Sequence, residues 1–145
     1  MKTSKAFVAA LALFAFATTS AAQEQRPYKD GPVVEMTYVK IKPGKFDEYM
    51  KYLAGPYRKL QEENKKAGLI SGWAVYSIRA KTQSDPDVVL QTTYPNMAAL
   101  DRGEEGDVVS SRVMGAFSTQ DKAFADRGTM REILGSQLMR ELVLR

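Results

Sequence analysis

Residues 33–53, VVEMTYVKIKPGKFDEYMKYL, decide the fold. Residues 33–41 alternate and are rich in β-branched and aromatic side chains, which reads as a strand. Pro43-Gly44 turns the chain. The period then changes. Phe46, Met50, Leu53, Tyr57, Leu60 and Ala67 fall on one helical stripe, with Tyr49 at its edge. Gly55-Pro56 interrupts this pattern. Proline lacks the helical donor and clashes with the preceding turn, so a kink or break is expected there. Gly68 is a plausible stop.

Toward the C-terminus, residues 70–81 read as a second strand and residues 88–94 as a third. The turn-rich link KTQSDPD (81–87) makes them a hairpin. Asn96 is a reasonable N-cap for a short helix through Leu100. Residues 103–106 read as an acidic loop. A helix over 107–126 follows, with Val109, Val113, Ala116, Phe117, Gln120 and Phe124 inward and Asp107 as candidate cap. Residues 133–144 form the last strand. The order β-α-β-β-α-β predicts an α+β, ferredoxin-like domain: a four-stranded antiparallel sheet with helices on one face.

Toward the N-terminus, residues 23–32 are polar, with Pro27, Gly31 and Pro32, and read as a flexible leader. Before them stands an export signal. Lys2 and Lys5 give a cationic start, FVAALALFAFA (7–17) an apolar run, and TTSAA (18–22) the small residues a signal peptidase reads. The run is far shorter than the roughly 20 apolar residues that span a bilayer. Cleavage is therefore expected after Ala22, with no stable membrane anchor afterwards and a periplasmic or secreted location. The remaining domain occupies 33–145.

Composition narrows the chemistry. Without Lys2 and Lys5 the formal charge falls from +4 to +2. That balance, export, and the lack of a basic cluster with interleaved aromatics exclude nucleic acid as a partner. There is no cysteine and no histidine. Zinc sites of the Cys/His kind, a Ser-His-Asp triad and a heme held by His or Cys are all excluded. No Asp-rich loop of EF-hand type occurs. Tyrosine could still ligate a heme and carboxylates a Ca²⁺ or Mg²⁺, but no metal and no cofactor are expected.

Side chains alternate across a strand, so each strand can be sorted by parity. One set holds Val34, Met36, Tyr38, Ala74, Tyr76, Val88, Leu90 and Leu138, and suits the helix-facing core. The other holds Glu35, Val39, Trp73, Val75, Arg79, Val89, Gln91, Gln137, Met139 and Glu141. This second set mixes apolar groups with carboxylates, a guanidinium and two amides, as a wall that meets a ligand or a second subunit would. Left bare, it would expose a large apolar patch.

The stretches VEMTYVKIKPGKFDEYMKYL (34–53), ISGWAVYSIRA (70–80) and VVLQTTYPNMAAL (88–100), with the closing strand, resemble the dimeric α/β-barrel superfamily, which includes antibiotic-biosynthesis-monooxygenase-like and NIPSNAP-like domains. The resemblance covers most of the expected mature chain. It implies a homodimer whose two sheets pack face to face and close a barrel, with the mixed face as lumen wall. Some relatives oxidise aromatic polyketides with O₂ and no cofactor, using Asn, Trp and Arg near the pocket. Asn64, Trp73 and Arg79 match these by type and rough place. Heme-cleaving relatives generally need an axial histidine, which this chain lacks.

The superfamily hosts unrelated chemistries, so function rests on the site. Glu35 and Glu141 fall on one face, on first and last strands that are not neighbours in the expected sheet unless a dimer brings them close. With Arg79 they are either acid/base groups or a structural charge cluster. Trp73 stacks on a planar ligand or anchors the core. Asn64 contacts a ligand or satisfies backbone at a helix end. Gln91 and Gln137 are further ligand contacts. The primary expectation is an exported homodimer that binds a small molecule. The alternatives are a cofactor-independent monooxygenase or isomerase acting on a planar substrate, and a structural module without ligand.

Overall fold

The computed structural model describes residues 25–145, so the expected export signal lies outside the described residues. The chain runs β1 (Tyr28–Ile41), α1 (Phe46–Tyr52), a π turn (Leu53–Tyr57), α2 (Arg58–Lys66), β2 (Gly72–Ser77), β3 (Val88–Tyr94), a 3-10 turn (Met97–Asp101), α3 (Gly103–Met114), α4 (Phe117–Gly128) and β4 (Arg131–Leu144). The four strands form one antiparallel sheet in the order β2-β3-β1-β4. This is the α+β, ferredoxin-like arrangement that the element order implies.

The break at Pro56 takes the form of the π turn. A π turn closes i→i+5 bonds and so accommodates a residue whose N–H is missing. It also widens the helix, which keeps residues four apart on one side. Tyr49, Leu53, Tyr57 and Gln61 therefore point inward, and Phe46 is exposed. The inward stripe is shifted from the one the sequence suggests: Tyr49, placed at the edge by periodicity, is fully buried.

The core joins Val39, Ile41, Tyr49, Leu53, Tyr57, Val88 and Met130, with Trp73, Val75 and Leu90 packed against them. This corrects the parity of β1 and β2. Val39, Trp73 and Val75 face the helices, not the open side. Tyr38 and Tyr76 instead lie on the open face, where they meet Gln137 and Gln91. Strand β3 is oriented as its sequence suggests, with Val88 and Leu90 toward the helices. Both parities of β1 and β2 carry large apolar groups, so alternation alone does not choose the side.

Three further differences concern element bounds. The first strand begins at Tyr28, so part of the expected leader pairs with β4 through Tyr28↔Leu144 and Asp30↔Leu142. Residues 103–106 are the first turn of α3, with Glu104 and Glu105 favourably placed at the positive helix end. The expected single helix over 107–126 is two, because Gly115 between them adopts φ 87°, a conformation open to glycine. Asn96 does cap its turn, accepting from the Ala99 N–H at 3.1 Å.

Candidate functional site

A cavity of about 390 Å³ opens between α2, β1, β3 and the start of α3. Its polar lining includes Glu35, Gln61, Asn64, Thr92 and Tyr94; Leu60, Leu69, Ile70 and Leu100 are among its apolar walls. The architecture explains why these groups meet. Glu35 pairs with Thr92 across the β1–β3 ladder, and Val33 with Tyr94. Glu35, Thr92 and Tyr94 therefore share the helix-facing side of the sheet. The inward edge of α2 adds Gln61 and Asn64 above them.

The Tyr94 hydroxyl donates to Glu35 Oε2 at 3.0 Å. Burial, reinforced by the Glu35 charge and this hydrogen bond, pushes the Tyr94 phenol up to about 12. Tyr94 thus stays protonated and remains a donor at any physiological pH. Burial also raises Tyr57, opposed by the adjacent Gln61 and Thr92 side chains. Asn64 Oδ1 is buried and has no hydrogen-bond partner. A buried acceptor left unpaired costs about 1–3 kcal/mol, and this oxygen is closed to water, so it does not face the open cavity that Asn64 lines.

The rim is tied down by Arg102. Its NH1 donates to the Gly68 carbonyl at 2.8 Å, while Nε and NH2 grip both Glu105 oxygens at 2.7 Å. This links the end of α2 to the start of α3 and leaves the Arg102 charge neutralised.

The cavity thus brings together Glu35 and Asn64 of the residues singled out from sequence. Trp73 lies next to it, under α2: its ring meets Tyr57 edge-on at 5.9 Å and its Nε1 donates to Glu62 at 3.1 Å. The indole is covered by its own helix layer, not by a second copy. Gln91 and Gln137 sit on the opposite face, each accepting from a tyrosine hydroxyl at 2.9 Å. Arg79 is exposed beyond the end of β2. Glu141 is exposed near the far end of β4, packed so closely on Gly31 that a Cβ there would stand 3.0 Å from its own. Strands β1 and β4 are neighbours, contrary to expectation, yet Leu138 and not Glu141 stands opposite Glu35. Within the protomer, Glu141 and Arg79 therefore stand apart from Glu35.

Sequence reasoning passed over Tyr94, Thr92 and Gln61. Tyr94 carries no mark of its own in the sequence, but its parity relative to Glu35 follows once β1 and β3 are paired in register. Gln61 carries no sequence signal, because the π turn that rotates it inward is not visible in a regular helical period.

Among the described residues no group of three Asp or Glu side chains could hold a metal ion. No described helix is long and apolar enough to cross a membrane.

No family model matches the chain, and no curated protein does. Solved structures do. HapK from Hahella chejuensis superposes with a TM-score of 0.51 at 10% identity, covering 76% of this chain and 92% of its own. Protein SO0527 from Shewanella oneidensis gives 0.51 at 16% identity, covering 80% and 98%. A dimeric ferredoxin-like protein from an uncultured marine organism gives 0.50 at 14% identity, covering 81% and 98%. At these identities the likeness is one of fold.

Proposed function

We propose that this chain is an exported, homodimeric small-molecule-binding protein whose ligand occupies the cavity between α2 and the sheet. One observation carries the reading: Glu35, held by the Tyr94 hydroxyl on one oxygen only, lines a cavity of about 390 Å³ with Asn64 beside it. Pockets of this size with apolar walls and a few convergent polar groups are the usual form of a ligand site. A ligand donor would meet the Glu35 oxygen that Tyr94 leaves free.

Export rests on the sequence of residues 1–22. The dimer is supported by exposed apolar side chains on β4 and the open sheet face, including Tyr76, Leu134 and Met139, and by a fold neighbour that is a dimeric ferredoxin-like protein. In this reading the second copy covers the open face, while each protomer holds its own cavity.

A second reading, cofactor-independent catalysis on a planar substrate by a monooxygenase or isomerase, is favoured by the Tyr94–Glu35 pair. The carboxylate can accept a proton from a substrate while the phenol, held protonated, donates a hydrogen bond to the negative charge that develops.

The test is a metabolite panel titrated into the mature protein, followed by Trp73 emission and by the side-chain amide signal of Asn64. A saturable response lost in Asn64→Leu supports binding in this cavity. Responses that survive Asn64→Leu unchanged would place the ligand elsewhere. Turnover that vanishes in Glu35→Gln while binding persists would establish the enzyme.

A further inference from the structure

We infer that the cavity selects an organic amine: a small apolar body carrying a protonated ammonium group that meets the Glu35 carboxylate. This rests on the proposed ligand site and assigns its chemistry.

The acceptors are the first argument. Glu35 receives one hydrogen bond, from Tyr94 to Oε2. A carboxylate can accept several donors, and an ammonium supplies three. The cavity therefore offers acceptor capacity that a donor-rich head group would use, and that a carboxylate or phosphate would not.

Charge is the second. Among the described residues, Glu35 belongs to no ion pair; the ion pairs that exist join other side chains. Glu35 is half-buried, and carboxylates withdrawn from water are ordinarily paired with a cation. The cation nearest to hand on the cavity wall, Arg102, is committed to Glu105 and to the Gly68 carbonyl. The site thus presents one uncompensated negative charge. A bound ammonium would neutralise it through charge-assisted hydrogen bonds. The apolar walls, Leu60, Leu69, Ile70 and Leu100, would cover the body of the same molecule.

The experiment compares three probes of one shape: 2-phenylethylamine, 2-phenylethanol and phenylacetate, titrated calorimetrically into the mature protein at neutral pH. The amine is expected to bind about tenfold more tightly than the alcohol, with phenylacetate weakest. In Glu35→Gln the amine should fall to the affinity of the alcohol, while the alcohol changes little; circular dichroism checks that the variant folds. Tyr94→Phe retains the charge and should retain the amine preference. Equal binding of amine and alcohol, or tightest binding of phenylacetate, overturns the amine assignment and leaves the cavity standing as a ligand site. No binding of any of the three overturns both. The three-probe comparison on the unaltered protein decides the matter even if a variant fails to fold.

Discussion

Tyr94 and Glu35 stand on adjacent strands, on the same side of the sheet, and share a hydrogen bond of 3.0 Å. The pair fixes the floor of the cavity. It also makes the phenol a poor acid, because burial and the neighbouring carboxylate both oppose a second negative charge. Spectrophotometric titration should therefore show tyrosines ionising at about 12, Tyr94 and Tyr49 among them, with the Tyr94 transition missing in Tyr94→Phe. In Glu35→Gln that transition should move down toward the ordinary value, because the charge is gone while burial remains. A Tyr94 transition unmoved by Glu35→Gln would show that burial alone sets it.

Tyr49 makes a separate prediction about alkaline stability. Its side chain is fully buried, its hydroxyl has no partner, and burial pushes it up from 10.0 to about 12. Below pH 10 the phenol is protonated whether the chain is folded or not. Between pH 10 and 12 the unfolded chain loses the proton first, so stability falls as pH rises. The loss attributable to Tyr49 is roughly 3 kcal/mol once pH exceeds 12. Tyr49→Phe should remove this part of the alkaline transition. Near neutral pH it should leave stability unchanged or raise it by about 1 kcal/mol, since it deletes an unpaired buried hydroxyl. The stack of Arg131 over this ring, at 5.7 Å, survives the change. Denaturant unfolding at pH 7 and pH 11 measures both effects.

Tyr57 is the hinge between helix and sheet, buried on the π turn and edge-on to Trp73. Tyr57→Ala should destabilise the domain by about 3–5 kcal/mol through lost area and the cavity left behind. It should also shift Trp73 emission to the red, because water reaches the indole. An unchanged emission maximum in a folded variant would mean that α2, not Tyr57, shields it.

Much of this architecture is legible in the chain. The strand–turn–helix change of period at residues 33–53, the disruption at Pro56 and the Asn96 cap each have a local cause that sequence displays. The misplaced features have non-local causes. Val39 and Tyr38 are both apolar enough for a core, and only the helix packed above them decides which is buried. Gln61 turns inward because a π turn sits upstream, and α3 ends because Gly115 takes a backbone conformation that the inward-facing pattern of 109–124 does not reveal. Of the candidate site, Glu35 and Asn64 were visible as residues, but their meeting depends on strand register. Trp73 drew attention as the single tryptophan, and the structure gives it a packing role beside the cavity.

The open sheet face supports a prediction about assembly. Met139 stands beside Val34 across the β1–β4 ladder and is 42% exposed. Met139→Lys should halve the sedimenting mass with little change in the stability of the protomer, since the ammonium can stay in water. A dimer that tolerates this lysine would have its interface elsewhere, with the edge of β4 and the exposed ring of Phe117 the next surfaces to alter.

The location of a ligand carried by protein isolated from its native host tests the central claim most directly. Crystallographic density is expected between α2 and the sheet, within hydrogen-bonding distance of the Glu35 carboxylate. Density confined to the other face of the sheet, beside Tyr38 and Gln137, would contradict it.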